Sequence, residues 1–370
     1  MSRFFPVAEP LIGERELYNV SDAVRSGWVS SLGDYIVAFE EGFARVCQRP
    51  HGVAVSNGTV ALHLALHALG VGRGDEVLLP DLTFVATAHA VLMAGATPVL
   101  VDVEAEHGNL DPRAVERAIT SRTRAILVVH LYGHPADMDA IAPLAQPGIH
   151  VIEDAAEAHG ARIGERMVGS FGIASTFSFY GNKIITTGEG GMVLTSDDAL
   201  NQRLRLLRDH GMSRERRYYH TELAFNYRMT NVQAAIGVAQ LERLSEFVEK
   251  KRSIARWYAE RLADRPELRF VPDRAGSTSV HWMTSPLVRE DIDRDALLAR
   301  LKARGVDTRP FFVPMSELPH LGGCRKVGAE DDSCGVARAL SRRGFNLPSS
   351  CTLEEKDIDT ICAIVREALT

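Results

Sequence analysis

Between residues 52 and about 196, short apolar runs alternate with stretches whose apolar residues recur at helical spacing. The runs predict strands at 53–56, 76–79, 98–102, 124–129, 150–153, 174–179 and 191–195. Amphipathic segments such as 59–69 and 112–119 lie between them and predict helices. Strands separated by helices build a mostly parallel sheet covered on both faces, an α/β architecture. After Asn201 the texture changes. A helical stretch runs to about Arg208, and a polar, aromatic loop follows over 209–227. A long helical pattern from about 231 to 262 predicts the connector into a smaller C-terminal domain. There, 268–270 and 280–287 read as strands, and 294–303 and 353–369 as helices. The boundary is expected near residue 245, dividing a large domain, 1–245, from a small α+β domain, 246–370.

A chain of 370 residues is itself too long for one ordinary core, which agrees with two domains. The formal net charge of −6 offers no basic stripe for a phosphate backbone, so no nucleic-acid partner is expected. Two local basic groups, Arg214/Arg216/Arg217 and Arg338/Arg342/Arg343, read as solvated faces. The five cysteines are scattered and odd in number, which argues against a disulfide framework and a structural zinc site; no metal is expected. The first 13 residues contain no apolar signal core, and no run of about 18 apolar residues could span a membrane. A reducing cytoplasm is the expected location.

Three local patterns carry candidate chemistry. The apolar run Val151-Ile152 ends in Glu153-Asp154, and ligands of open α/β sheets gather at the carboxyl ends of strands. An isolated acid there is usually a cap or loop residue. The run Ser175-Thr176-Phe177-Ser178 leads through Gly181-Asn182 to Lys183, followed by Thr186-Thr187-Gly188-Glu189-Gly190-Gly191. A loop lysine is usually a surface residue, but Gly/Thr-rich surroundings let the backbone approach a ligand closely. Asn57-Gly58-Thr59 sits between a strand and a helix, where free N–H groups can cradle an anion. Capping by Asn57 explains that segment equally well. Taken together, an anion cradle, a strand-end acid and a lysine preceded by Ser178 form the set that pyridoxal phosphate requires. Its phosphate needs donors, its aldehyde an amine, and its ring nitrogen an anion.

At greater length the chain resembles the DegT/DnrJ/EryC1/StrS sugar aminotransferases. The matching segments run from Gly27-Trp28-Val29-Ser30-Ser31 through Ser56-Asn57-Gly58-Thr59, His130-Leu131-Tyr132-Gly133, Glu153-Asp154-Ala155-Ala156-Glu157 and Gly181-Asn182-Lys183. They continue through Asn226-Tyr227-Arg228-Met229-Thr230-Asn231 and Arg309-Pro310-Phe311-Phe312 to Asn346-Leu347-Pro348-Ser349. The resemblance implies the aspartate aminotransferase-like, type I fold: a mostly parallel seven-stranded sheet flanked by helices, with a small α+β domain.

It also implies roles. Lys183 matches the lysine that carries pyridoxal 5'-phosphate and moves the proton, with pyridoxamine 5'-phosphate as the aminated form. Asp154 matches the ring-nitrogen partner, and Glu157 falls near the phenolic oxygen. Gly58, Thr59 and Ser178 match phosphate contacts, and Phe84 the aromatic on the ring face. Asn226 matches a residue reaching the neighbouring subunit's phosphate, which implies a homodimer with shared active sites. For substrate contacts the candidates are Trp28, His220 and Arg309, the last for its guanidinium's suitability to a pyrophosphate. Trp28 reads equally well as core, and Tyr218, Tyr219 and His220 as loop packing. His130 and His159 read as core or loop histidines or as active-site contacts.

The implied reaction moves an amine from L-glutamate to carbon 4 of a nucleotide-linked 4-keto-6-deoxyhexose. GDP-4-keto-6-deoxy-D-mannose, giving GDP-perosamine, is favoured by the form of the lysine and Asn226 motifs. Alternatives are another keto-sugar or keto-cyclitol in antibiotic or glycan biosynthesis, a sugar dehydratase of the same fold, or a binding protein without turnover. Dehydratases of the family carry histidine where this chain has Lys183. One departure lies at Ser350-Cys351-Thr352, where the family often has Trp-Pro-Gly; differences there fall on substrate contacts at the domain edge.

Overall fold

A computed structural model describes residues 4–213 and 215–369; residues 1–3 of the N-terminal segment and Arg214 of the first basic group lie outside the described residues. The seven expected strands form as β1 (His51–Val55), β2 (Glu76–Pro80), β3 (Thr97–Val101), β4 (Thr123–Val129), β5 (His150–Asp154), β6 (Ala174–Ser178) and β7 (Gly191–Thr195). An eighth, β8 (Arg325–Val327), joins from the C-terminal part of the chain, and the sheet order is β1-β7-β6-β5-β4-β2-β3-β8. Only β7 runs antiparallel to its neighbours, β1 and β6. The other pairs are parallel. Helices cover both faces, so β2, β6 and β7 are buried along their whole length, polar Ser175, Thr176 and Ser178 of β6 included. Charged Arg325-Lys326 hides β8 from a search for apolar runs. It adds to β3 at the sheet edge, where only one ladder of hydrogen bonds is needed.

The helices that shape the site begin at side-chain caps. Asn57 caps Gly58–Ala68, Asp111 caps Pro112–Ala118, and Asp197 caps Asp198–Arg208. The long pattern after residue 231 divides into Asn231–Glu242 and Leu244–Arg261, because Arg243 sits at φ −107°, ψ 6°, outside helical geometry. The strand expected over 280–287 is corrected: Leu287–Val288 pairs with Leu268–Arg269, and before it Thr284 forms only an isolated bridge, to Leu347. His281 lies at φ +44°, which breaks an extended run, and Val280, Trp282 and Met283 are buried by tertiary packing instead.

Among the described residues the buried apolar side chains form four clusters, including a large one and a small one built mostly from the C-terminal part of the chain. The small one gathers Ile254, Tyr258, Leu297, Leu301, Ile358 and Ile361 around Phe5 from the N-terminal segment. Residues 311–340, including Phe311, Met315 and Leu340, return to the large core. Among the described residues, no helix is long and apolar enough to cross a membrane.

Candidate active site

The carboxyl ends of β4, β5 and β6 and the start of helix Gly58–Ala68 open onto a cleft of about 720 Å³. Successive residues of a strand face opposite sides, and this divides the two acids that end β5. Glu153 is fully buried away from the cleft. It accepts N–H bonds from Gly169 (2.7 Å), Phe171 (2.7 Å) and Gly172 (2.8 Å) and lies 3.3 Å from His130 Nε2. Burial pushes its carboxyl up, but His130 and those N–H groups outweigh burial and hold it below the usual range. Asp154 lines the cleft. Its Oδ2 accepts from Thr87 Oγ1 at 2.9 Å and its Oδ1 from the Ala156 N–H at 3.3 Å. Here burial wins and raises the carboxyl, against the Thr87 and Ala156 bonds and the Lys183 charge.

Beyond β6 the chain turns back toward β7, with Phe179 N–H donating to Gly190 O at 2.8 Å and Thr187 N–H to Phe179 O at 2.9 Å. This closed loop presents Lys183 to the cleft. Its Nζ lies 3.5 Å from Glu157 Oε1 and 3.9 Å from the centre of the Trp282 ring. Glu157 Oε2 accepts from the Tyr132 N–H at 2.7 Å. Burial raises the Glu157 carboxyl, and the ammonium beside it acts in the opposite direction.

At the other end of the cleft, Asn57 Oδ1 takes the Val60 N–H at 3.0 Å. The N–H groups of Gly58 and Thr59, as the first of the helix, have no acceptor within it. A Cβ on Gly58 would stand 2.8 Å from Ser178 Cβ, so glycine is what lets the helix start approach the Ser178 hydroxyl. Phe84, 54% exposed, lines the opening with its ring 5.7 Å from that of Phe312. Arg309 also lines it, exposed.

Thus Asp154, Glu157, Lys183, Gly58, Thr59, Ser178, Phe84 and Arg309 converge on one cleft. Trp28, His220 and Asn226 do not line it. The Trp28 ring is exposed while its carbonyl accepts from Asn231 Nδ2. His220 Nδ1 lies 2.8 Å from His210 O, and exposed Asn226 accepts from Arg228 Nε at 3.0 Å. Tyr218 and Tyr219 are exposed as well. His130 and His159 are core residues. His159 packs among Phe43, Phe177 and Phe179, and burial, with the Lys183 charge, pushes its imidazole down to about 3.

Sequence reasoning missed Thr87, Tyr132, Trp282, Phe312 and Asn346, all lining the cleft. Thr87 could have been noticed as one of two polar residues, with His89, in an otherwise apolar helix. Tyr132, Phe312 and Asn346 lie in segments that carry the family resemblance, whereas no local signal marks Trp282.

The model of the DegT/DnrJ/EryC1/StrS aminotransferase family matches residues 10–366. The GDP-perosamine synthase of Caulobacter vibrioides is 45% identical over 371 residues, covering 98% of this chain and 98% of that protein. That of Vibrio cholerae is 40% identical over 367 residues, with 98% of each covered. Among solved structures, the aminotransferase TlmJ from Streptoalloteichus hindustanus superposes with a TM-score of 0.92 at 34% identity, covering 99% of this chain and 98% of that one.

Proposed function

The chain belongs to the DegT/DnrJ/EryC1/StrS aminotransferase family, and from that premise we propose that it aminates a nucleotide-linked 4-keto-6-deoxyhexose, with GDP-4-keto-6-deoxy-D-mannose giving GDP-perosamine. It is a pyridoxal-phosphate-dependent aminotransferase of the fold common to that family. L-glutamate is the proposed donor; its amine replaces the ketone oxygen of the sugar, and 2-oxoglutarate leaves. One observation carries the chemistry: a lysine amine and a buried strand-end carboxylate share a single cleft with a helix start.

The donor set fits the cofactor. Pyridoxal 5'-phosphate, when bound, supplies an aldehyde for an amine and a cationic ring that draws electrons from the reacting carbon. Ser178 and the N–H groups of Gly58 and Thr59 would hold the phosphate, in the space that a side chain on residue 58 would close. Asp154, fixed by Thr87 and Ala156, would hold the proton on the ring nitrogen. Glu157 would sit near the phenolic oxygen, and Phe84 would cover a ring face and exclude water. Lys183 would hold the cofactor and move the proton at the donor's α-carbon. Arg309 is the proposed pyrophosphate contact, with Trp28 and His220 as further substrate contacts, and Asn226 would serve the partner's site in a homodimer. The five cysteines, all free, fit a reducing compartment, the cytoplasm.

The test is direct. Purified enzyme should be yellow, bleach on adding L-glutamate, and convert GDP-4-keto-6-deoxy-D-mannose to the 4-amino sugar, read by mass spectrometry. Amination of a dTDP- or UDP-linked keto sugar in its place would move the substrate. Bleaching with no amination of any keto sugar would overturn the proposal.

A further inference from the structure

Trp282 is 5% exposed and its ring lies on the Lys183 ammonium. A cation over an indole face is attracted by the ring's quadrupole, and indole is the strongest such partner. The ring is held from three directions. Its Nε1–H donates to the carbonyl of Asn182, the residue before the lysine, at 2.7 Å. Its own carbonyl accepts from Lys251 Nζ at 3.0 Å. Its plane lies 21° from that of Tyr132. Lys251 is itself 4% exposed and donates also to Ser349 O at 2.6 Å. A buried ammonium is costly to retain, and this one holds the backbone on which Trp282 stands.

Glu157 by itself gives Lys183 one point of contact, and a four-carbon stem can meet one point in many rotamers. A carboxylate oxygen and a ring face together leave far fewer. Because Trp282 bonds to the Asn182 carbonyl, the face is tied to the lysine's own loop. We propose that Trp282 is a positioning residue for the reaction: its face docks the Lys183 ammonium whenever the lysine is not bonded to the cofactor, and so sets where the amine starts from. This rests on the cofactor reading above. In capture, Lys183 would give one proton to Glu157 Oε1 and be free as an amine to bond the aldehyde carbon of pyridoxal phosphate, whose carbonyl oxygen would leave as water.

The test uses cofactor-free enzyme and two probes. Pyridoxal phosphate must be captured by Lys183; pyridoxamine phosphate binds without that bond. Trp282→Met should slow capture roughly three- to thirty-fold, the scale of the rotamer freedom that a released lysine side chain must give up again to reach the aldehyde. Its affinity for pyridoxamine phosphate should stay within about twofold of wild type, and Trp282→Phe should recover most of the rate. With glutamate deuterated at the α-carbon, the isotope effect should rise in the Met variant. Fluorinated tryptophans placed at 282 retain shape and N–H while draining the ring face, so capture should slow stepwise with fluorination even where Trp282→Met does not fold. A flat fluorination series, or capture and pyridoxamine phosphate affinity lost in equal proportion, would overturn the inference. Failure of the wild type to capture pyridoxal phosphate would instead overturn the cofactor reading beneath it.

Discussion

In Asp154→Asn an amide of the same shape replaces a carboxylate that is 6% exposed. The carboxylate has two donors, the Thr87 hydroxyl at 2.9 Å and the Ala156 N–H at 3.3 Å, yet burial outweighs them and its pKa rises. A folded-state pKa above the unfolded value means that the protonated form favours folding. That stability is full below the unfolded value, about 3.9, and is lost as pH rises through the folded one. At pH 7 the ionised group therefore opposes folding of the cofactor-free protein. Asparagine retains an oxygen for the Ala156 N–H, and the Thr87 hydroxyl can turn to Thr83 Oγ1, 3.3 Å away. We expect the cofactor-free variant to be more stable at pH 7 by about 1–2 kcal/mol, the scale for relief of an imperfectly paired buried polar group. Urea unfolding of both proteins at pH 7 and pH 4.5 measures this, and the gap should narrow in acid as wild-type Asp154 takes up its proton. Turnover should fall by about a hundredfold, since an opposed charge in contact shifts a ring nitrogen by one to three pKa units, each worth tenfold. An asparagine variant less stable at pH 7, or a gap independent of pH, would refute the account of the carboxylate. Unchanged turnover would mean that another group partners the ring.

Lys183→Ala should fold but lose at least about a thousandfold in turnover. With Glu157 deprived of its cation, its melting temperature should drop more than that of wild type between pH 5 and pH 8, the sign set by a raised carboxyl. Glu153→Gln retains one acceptor oxygen for three backbone N–H groups, so unfolding free energy should fall by about 2–4 kcal/mol. Because the Glu153 pKa is lowered, its contribution is present above the unfolded value and lost as pH falls through the folded one; the gap to wild type should therefore close in acid. Mixing Lys183→Ala with Asn226→Ala subunits, each impaired alone, should restore activity, because one site of the mixed dimer carries neither defect. No recovery after verified subunit exchange would mean that Asn226 does not serve its partner's site.

The elements legible in the sequence were those whose signal is local. The strands from 53–56 to 191–195 are apolar because helices cover both faces, and a run of apolar residues needs no partner to be seen. Lys183 and Asp154 stood out only as candidates, on a glycine loop and at a strand end, and the structure brings both to one cleft. The misread or missed elements depend on distant partners. Strand β8 exists because β3 offers it a free edge, and 280–287 reads as a strand because its apolar residues are buried by contacts far along the chain.

What the sequence determined by itself, then, was most of the order of strands and helices and the candidacy of Lys183, Asp154 and Gly58 for a cofactor site. Which way Glu153 and Asp154 face follows from period-two alternation, but which face opens onto the cleft was decided by the tertiary structure, through β4 and β6 on either side. Tertiary structure alone set Thr87 on Asp154 from 67 residues away and the Trp282 indole on Asn182 from 100. The reason is the range of the forces. Hydrophobic periodicity and helix capping act within a few residues and leave their record there. A hydrogen bond closed across a long loop forms only after packing has met the loop's entropic cost, so nothing beside Thr87 or Trp282 in the chain marks the partner.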